Sequence, residues 1–469
     1  MTSIPQNPQL IKNLDKLIAA HRPIFGQERV YQRIKALIYA VLFGFGRMTL
    51  TQLLMPLGLI ASNWSAWYRL FSRGRFDADQ ASAVLFEEVL QAFGEDEVLV
   101  VGGDGTQTPR TSRRIEGTGF LKCGRTPPFK VGIHRAQRWF NFSIFLPMVN
   151  GFSRALPLLW LPCFTQKSYR IQTVAYKEWQ TAVISLNWLQ HQLERVGQTT
   201  RTILMLGDGS YDNLNLWKHL PDGVTLLVRS AKNRVLYFMP DDHMHKNRKY
   251  GERAPTPQQI WQQRAGWQRV RLTIRGQQRR FTYRCIGPVL RKGASNRPLF
   301  LIVVRGQVYT KHGRKRYRKP IPYLVNASPN DVGQWGLPLP LNTLLEWAWQ
   351  RWELEVCHRE LKSNLGLGQM QGWNPTGAVC FVRWLVWCYS LFLLAGYRTW
   401  GLFNAPAVPT RWWRGSHRWS FNTLWRSYRA ALWTQHQFQP LNALTTYDWA
   451  EKTSRIRGLK NSLFGSSRI

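Results

Sequence analysis

Acidic side chains are scarce in this sequence. Only 26 of its 469 residues are Asp or Glu, against 64 Lys or Arg, which gives a formal net charge of +38. No acidic residue occurs between Glu360 and Asp448. An imbalance this large exceeds what solubility requires. It indicates a polyanionic partner, for which nucleic acid and a membrane surface are the two candidates.

Paired cysteines and unbroken hydrophobic runs are also missing. The six cysteines are scattered, and no Cys-x2-Cys pair or Cys/His cluster predicts a zinc site. We interpret them as free thiols in a reducing cytoplasm, and the polar N-terminus has no signal-peptide character. The long apolar stretch from Ala378 to Tyr397 is interrupted by Arg383. We therefore expect a buried core helix there rather than a membrane span.

Two short apolar runs each lead to an aspartate between glycines. Residues 98–101 precede Asp104, and residues 203–206 precede Asp208. Each run predicts a buried strand that carries a carboxylate at or near its end. The glycines leave room for a ligand or another backbone to approach. One strand-end Asp that caps a turn is common, but two with the same glycine pattern favour a functional site.

A third candidate carboxylate, Glu355, lies on a predicted helix. At 100° per residue, Arg351, Glu355, His358 and Lys362 fall on one face of that helix. A carboxylate flanked by cations suits a site that holds a divalent metal ion and phosphate groups. The alternative is a surface helix with ion pairs four residues apart, and the two aspartates favour the metal site.

The spacing of these residues resembles a known family. Arg351, Glu355 and Lys362 match the Tyr-x2-Arg-x3-Glu-x6-Lys signature of insertion-sequence DDE transposases of the IS4 superfamily, to which the IS701-like enzymes belong. Ala348, between two tryptophans, stands where the family has tyrosine. The resemblance covers roughly residues 30–400, and the missing tyrosine leaves open whether DNA hairpins form during the reaction.

The resemblance implies an α/β fold with an RNase H-like catalytic core. It implies that Asp104, Asp208 and Glu355 are catalytic and bind two divalent cations, Mg²⁺ or Mn²⁺ in its place. Carboxylate oxygens suit such hard ions, and paired ions suit in-line phosphoryl transfer. The implied reaction is cleavage at insertion-sequence ends and strand transfer into target DNA, a cut-and-paste transposition. The implied partner is double-stranded DNA, both terminal inverted repeats and target, bound by a homodimer in a synaptic complex in the bacterial cytoplasm, at the nucleoid.

The chain divides into five expected regions. They are an N-terminal helical DNA-binding domain (1–90), the first part of the core (91–235), a β-rich basic insertion (236–328), the second part of the core with the Glu helix (329–400) and a C-terminal basic helical region (401–469). The insertion is expected because 146 residues separate Asp208 from Glu355, far more than a crossover needs.

Cations dominate the insertion. From Arg229 to Lys319 there are 24 Lys or Arg and 3 acidic residues. Strand-like alternation and a predicted basic hairpin indicate contacts with DNA phosphates rather than with bases. The candidate DNA-binding residues here are Arg269, Arg271, Arg275, Arg314, Lys315 and Arg316. Arg351 and Lys362 would hold phosphates near the scissile bond.

Two further regions are candidates for DNA contact. Residues 49–54 and 62–71 predict a helix-turn-helix-like pair, with Ser62 as the N-cap of the second helix and Tyr68 and Arg69 able to reach a groove. An ordinary helical pair packed on the core is equally compatible. Residues 411–419 interleave cations with aromatics, which is typical of binding to unpaired bases or of cation–π packing. The tail from residue 453 is expected to be flexible.

Two other functions remain open at this point. One is an RNase H-fold nuclease or resolvase that cleaves without joining, and the large basic insertion counts against it. The other is a catalytically inactive, DNA-binding derivative of a transposase. The presence of all three acidic residues counts against that second alternative.

Overall fold

The structure is a computed structural model, and it describes residues 8–59, 61–95, 97–123, 132–164, 176–240, 248–311, 313–329, 333–405 and 418–434. Most of the C-terminal segment that interleaves cations with aromatics, 411–417, and the tail expected to be flexible lie outside the described residues. All six cysteines are within them, and each is a free thiol.

The N-terminal region is helical, as predicted. Its helices are α1 (Pro8–Ala20), α2 (Glu28–Phe43), α3 (Leu50–Leu54), α4 (Ser65–Ser72) and α5 (Ala78–Leu90), with a 3₁₀ turn at Arg22–Ile24. Apolar side chains of all five helices belong to one continuous hydrophobic core with the rest of the chain. The region therefore packs onto the core that carries the candidate site.

The start of α4 corrects one prediction. Ser62 is not the N-cap, because α4 begins at Ser65 and Trp64 occupies the cap position. The side chain of Asn63 accepts a hydrogen bond from the Ser65 backbone N–H at 2.9 Å. Asn is a strong competitor for such local bonds, and it satisfies this first-turn donor in place of Ser62.

A mixed sheet forms the centre of the next region. Its elements are β1 (Leu99–Pro109), β2 (Gly119–Lys122), β3 (Ile133–Phe145), β4 (Ala155–Pro162), α6 (Glu178–Arg195), β5 (Ile203–Gly207), α7 (Leu214–His219) and β6 (Val224–Arg229). The spatial order is β4-β3-β1-β5-β6. The first three strands pair antiparallel, whereas β1, β5 and β6 run parallel. This is the RNase H-like arrangement, which confirms the predicted fold class.

Between β6 and Glu355 the described residues form nine strands, of which five extend the same sheet and four form two separate pairs. They are β7 (Tyr237–Phe238), β8 (Gln268–Ile274), β9 (Gln277–Arg291), β10 (Ala294–Val304), β11 (Gln307–Lys311), β12 (Arg314–Arg318), β13 (Ile321–Asn326), β14 (Ser328–Pro329) and β15 (Trp335–Gly336), with α8 (Pro257–Gln262). β13 pairs antiparallel with β6, and β10 and β9 follow, so the described part of the chain contributes eleven strands to the main sheet. β11 and β12 pair only with each other, as do β14 and β15.

Four helices complete the described chain. They are α9 (Leu341–Gln350), α10 (Trp352–Ser363), α11 (Pro375–Trp400) and α12 (Phe421–Thr434). α11 is long and apolar enough to cross a membrane, but 89% of its most apolar window is buried inside the fold. It packs against α1, α4, α5 and β4, as a core helix does, and this agrees with the interpretation of residues 378–397.

Candidate active site

Asp104 lies within a strand rather than at its end. β1 continues for five residues beyond it, because the pairing with β3 extends to Pro109 opposite Ala136. The glycines before Asp104 are required by packing. A Cβ at Gly103 would lie 2.7 Å from a ring carbon of Phe140. The apolar run thus forms part of a buried strand, as predicted, but the strand is longer, and the glycine before Asp104 makes room for the Phe140 side chain rather than for another backbone.

Asp208 directly follows β5, as predicted. Its Oδ1 accepts hydrogen bonds from the backbone N–H and the hydroxyl of Ser210, at 2.7 and 2.6 Å. The turn-capping role that is common for a strand-end Asp is therefore present here. It occupies one carboxylate oxygen and fixes the side chain at the carboxyl edge of the strand beside β1.

Glu355 lies in the first turn of α10 and is paired with Arg351. Arg351 Nη2 donates to Glu355 Oε1 at 2.8 Å, and the Glu355 side chain is 37% exposed. The ion pair between residues four apart therefore forms, and it joins two residues of the predicted site. Leu354 beside it is fully buried, and one of its methyl groups lies close to Gly102 of β1. This packing sets α10 against the strand that carries Asp104.

The electrostatics of Asp104 link these residues. Burial, the first cause, and the charge of Asp208, the second, raise the pKa of Asp104 to about 7. Glu355 and Glu178 raise it further, while Arg351 opposes them. Asp208 and Glu355 are therefore both close enough to act on Asp104. Within the described part of the chain, however, no group of three or more His, Cys, Asp or Glu side chains is arranged to hold a metal ion.

The donor set nevertheless fits a hard divalent cation. Carboxylate oxygens are the preferred ligands of such ions, and the raised pKa of Asp104 reports a repulsion between carboxylates that a cation would relieve. Asp104 would have to lose its proton to bind one. Convergence of Asp104, Asp208 and Glu355 on shared ions stays a prediction, and it requires their carboxylates to draw together.

His358 has a defined tautomer facing Asp104. The Ser143 hydroxyl donates to Asn141 Oδ1 at 2.8 Å, which turns the Asn141 amide N–H₂ towards His358 Nε2 at 3.1 Å. Nε2 must then accept, so the proton is on Nδ1. Nδ1 lies 3.9 Å from Asp104 Oδ2. Burial lowers the pKa of His358 to about 3, assisted by the charges of Lys362 and Arg351, so the imidazole is neutral and this contact is not an ion pair.

Lys362 also reaches β1. Its Nζ donates to the hydroxyl of Thr106 at 2.6 Å. Thr106 lies two positions after Asp104 on the strand. Lys362 therefore places a cation on the same part of β1 as the candidate carboxylates, at the other end of α10 from Arg351.

Sequence reasoning missed Glu178, a fourth carboxylate at the site. It is the first residue of α6, and Arg138 on β3 pairs with it at 2.6 Å. A Cβ at Gly105 would collide with its carboxylate oxygens, so Glu178 packs directly on the backbone next to Asp104. The glycine after Asp104 was a signal that another group approaches there, but nothing in the sequence identified which group.

Comparison with known proteins identifies the family. The sequence model of the family described as DDE superfamily endonuclease matches residues 22–284, more than half of the chain. The chain belongs to the DDE superfamily endonucleases. The match includes Asp104 and Asp208 and ends before Glu355. A search of curated protein sequences found no match.

One solved structure similar to this DDE endonuclease is a piggyBac transposase, in a synaptic complex with hairpin DNA. The two are 10% identical, with a TM-score of 0.39, and the similarity covers 97% of this chain and 83% of that chain. Similarity at this level assigns no role to any residue. The IS4 superfamily in particular stays an expectation from the Arg-Glu-Lys spacing.

The other acidic residues of the Glu helix have structural partners in the endonuclease. Glu353, the neighbour of Glu355 on α10, is buried and forms two hydrogen bonds with the guanidinium of Arg418, one of them at 2.9 Å. Glu360 is buried as well, pairs with Arg154 at 3.4 Å and accepts from the Tyr389 hydroxyl at 2.7 Å. These two carboxylates tie α10 to the core.

The predicted DNA-binding residues of α4 and of the insertion all lie at the surface of the endonuclease. On α4, Tyr68 and Arg69 are exposed, while Trp67 and Leu70 are buried. The insertion residues are exposed too, some on β8, one in the turn after it and the rest on β12. They are Arg269, Arg271, Arg275, Arg314, Lys315 and Arg316.

Proposed function

We propose that this endonuclease is a cut-and-paste DNA transposase that cleaves at the ends of an insertion sequence and joins them to target DNA. The observation that carries the proposal is the environment of Asp104. In an RNase H-like core of this family, its carboxyl has a pKa near 7 because it is buried and because Asp208, Glu355 and Glu178 act on it. A buried carboxyl group whose pKa is perturbed by specific charged neighbours is characteristic of functional sites.

Asp104, Asp208 and Glu355 would hold two divalent ions, Mg²⁺ or Mn²⁺ in its place. When bound, such ions supply activation of water or of a DNA 3′-hydroxyl and stabilisation of the leaving oxygen. The chain itself prepares the ligands. Arg351 places its guanidinium against the Glu355 carboxylate in the free protein. The two hydrogen bonds from Ser210 occupy Oδ1 of Asp208, so Oδ2 is the oxygen available to a ligand.

His358 is suited to guide a proton or a water at Asp104. Since its Nε2 accepts from Asn141, its Nδ1–H is directed at Asp104 Oδ2 at 3.9 Å. That distance is too long for a direct hydrogen bond, so one of the two side chains must move closer before His358 donates to Asp104. The neutral ring adds no positive charge that would compete with a metal ion.

Arg351 and Lys362 are suited to bind the scissile phosphate. Both already contact acceptors at the site, Glu355 and Thr106, at 2.8 and 2.6 Å. A DNA phosphate offers a stronger, doubly accepting partner for the guanidinium. If Arg351 exchanged Glu355 for a phosphate oxygen when DNA binds, the Glu355 carboxylate would become available to hold a metal ion.

The proposed partner is double-stranded DNA, both terminal inverted repeats and target, held by a homodimer in the bacterial cytoplasm. The net charge of +38 and the exposed arginines of the insertion support the choice of DNA, because neutralising phosphates drives such binding.

The test uses labelled duplexes that span the junctions between the terminal inverted repeats beside the coding region and the DNA outside them, with supercoiled plasmid as target. With Mg²⁺, we expect strand cleavage at the junction and covalent joining to the plasmid. EDTA, Asp104→Asn or Asp208→Asn should abolish both reactions. Cleavage without joining would support the nuclease alternative, and binding without either reaction would indicate an inactive derivative.

A further inference from the structure

β11 and β12 form a two-stranded ribbon that stands apart from the main sheet. They pair antiparallel from Gln307 opposite Arg318 to Lys311 opposite Arg314. Each strand has five residues, so the ribbon is about 17 Å long at ~3.4 Å per residue. The side chains of such a ribbon face water wherever neither the rest of the chain nor a partner covers them.

One face of the ribbon is a row of guanidinium groups. Side chains alternate between faces along a strand, so Arg314, Arg316 and Arg318 share a face. Tyr309, opposite Arg316, lies on the same face. Arg314 and Arg316 are exposed. Among the described residues no carboxylate pairs with either of them, so the N–H donors of these two guanidinium groups are exposed to solvent.

The base of the ribbon rests on the helix that leads to the site. The Arg318 guanidinium lies 5.4 Å from the ring centre of Trp349 on α9 and 5.8 Å from that of Phe281 on β9. The rings of Phe281 and Trp349 are themselves 4.8 Å apart. Trp349 is two residues before Arg351, the partner of Glu355. The ribbon is therefore anchored close to the catalytic helix and not to a remote part of the surface.

We propose that this ribbon enters the major groove of DNA and that Arg314 and Arg316 read guanine bases there. The inference rests on the proposed function, and for Arg314 and Arg316 it replaces the phosphate contacts that the sequence predicted for the whole insertion with base recognition. The major groove, about 12 Å wide, admits a two-stranded ribbon, and Arg binds guanine O6 and N7 in a bidentate manner.

Size and charge both favour this occupant. Two paired strands are about 5 Å apart, which leaves room for side chains on each side of the ribbon within the groove. Val308 and Tyr317, on the opposite face from the arginines, are 67% and 61% exposed. A phosphate-binding surface would not require a narrow projection, whereas reaching base edges does, because they lie about 8.5 Å deep in the groove.

The experiment begins with selection of preferred duplexes from a randomised 30-base-pair pool by the full-length protein without metal. Affinity is then measured for a selected duplex and for a scrambled one of equal composition. The test variant is Arg314→Ala/Arg316→Ala, and the matched control is Arg269→Ala/Arg271→Ala, which removes two cations from β8. A second test variant, Arg314→Lys/Arg316→Lys, keeps the charge but loses the bidentate geometry.

We expect the Ala variant to lose discrimination between the two duplexes by about 5- to 150-fold for each base contact removed. The Lys variant should lose discrimination while its affinity for scrambled DNA stays close to wild type. The β8 control should weaken binding to both duplexes equally. Replacing guanine with 7-deazaguanine in the selected duplex should weaken the wild-type protein and leave the Ala variant unaffected.

The proposal is overturned if the ribbon variants keep the wild-type ratio of affinities for the selected and the scrambled duplex. It is also overturned if 7-deazaguanine has no effect on binding by wild type, or if no sequence is selected from the pool. Each of these outcomes is separate from failure of the proposed function. Metal-dependent cleavage of the junction duplexes is measured independently, and it can persist in a protein that reads no bases with its ribbon.

Discussion

Arg351 donates a 2.8 Å hydrogen bond to Glu355, four residues along the chain and across the break between α9 and α10. The cation that the sequence pattern assigned to a phosphate thus holds the candidate metal ligand in the free protein. A surface ion pair of this kind contributes little to stability. Its importance lies in placement, because it holds a guanidinium and the candidate metal ligand together at the site.

Arg351→Lys should therefore impair catalysis although the charge is kept. Lys cannot make a bidentate contact with phosphate, so we expect Mg²⁺-dependent cleavage to fall by about ten- to a hundredfold while affinity for the junction duplex changes by less than about threefold. Affinity is spread over many other cations. Gel-shift titration and single-turnover cleavage on the same duplex give the two values.

Lys362→Ala should also reduce cleavage more than it reduces affinity for DNA, but for a different reason. It removes a cation from the site and the 2.6 Å hydrogen bond with Thr106 that ties α10 to β1. Lys362→Arg, which restores a charged donor, should recover part of the cleavage rate. If cleavage of either Lys362 variant falls only in proportion to binding, Lys362 is a general DNA anchor.

Asp104 predicts a specific pH dependence of stability in metal-free buffer. Its pKa of about 7 in the folded protein exceeds the ordinary value of 3.8, so the folded state binds the proton more tightly. The free energy of unfolding should then decrease as pH rises from about 4 to about 7. Asp104→Asn mimics the neutral form. It should be more stable than wild type at pH 8, by on the order of a few kcal/mol, and about equal to it at pH 4.

Urea unfolding in EDTA at the two pH values measures this difference. Adding Mg²⁺ at pH 8 should stabilise wild type and have little effect on Asp104→Asn, since a ligand that binds only the folded state shifts unfolding by mass action. A stability gap that is the same at pH 4 and pH 8 would contradict the assigned electrostatics of Asp104.

Glu178→Gln should lower the pH at which the site takes up metal. Glu178 raises the pKa of Asp104, and its removal also frees the cation of Arg138. Both changes favour the ionised form of Asp104. Mg²⁺ binding, measured by calorimetry across pH 5.5–8.5, should reach its midpoint at a lower pH than in wild type. The control is Glu194→Gln on the exposed last turn of α6, for which the midpoint should not move.

The arginines on β8 and in the turn after it should act on DNA binding through phosphates. For Arg269→Ala, Arg271→Ala and Arg275→Ala combined, the slope of log affinity against log salt should fall by about 0.9 for each phosphate that the variant no longer neutralises. The decrease should be uniform across DNA sequences. Lys12→Ala/Lys16→Ala on the exposed face of α1 is the control. An unchanged slope in the triple variant would show that these arginines face water and do not contact DNA phosphates.

Sequence patterns predicted the local features of the site well. The glycine-flanked apolar run located Asp208 at the end of β5, and alternation located β8 with its arginines outward. Ser62 failed as a cap because a neighbouring Asn competes locally, which propensity alone cannot decide. Glu178 could not be found, because only the folded sheet brings the start of α6 to the backbone beside Asp104.

The tautomer of His358 could not be predicted from the sequence, for a similar reason. It depends on a chain of hydrogen bonds from Ser143 through Asn141, two residues of β3 far from α10 in sequence. Helical periodicity placed His358 on the face of Glu355 but could not show that its ring is buried. Contacts between distant segments determine such details, and one sequence contains no record of them.

The most direct test of the catalytic site compares two neighbouring carboxylates of α10. Glu355→Gln and Glu353→Gln are each assayed for Mg²⁺-dependent cleavage of the junction duplex. Glu353 is buried against Arg418, so its substitution should lower the free energy of unfolding, because a buried charge loses its partner, and leave cleavage by the folded protein largely intact. Glu355→Gln should leave stability nearly unchanged and reduce cleavage at least about a hundredfold. The opposite pattern, with cleavage lost in Glu353→Gln and kept in Glu355→Gln, would contradict the assignment of Glu355 as the third catalytic carboxylate.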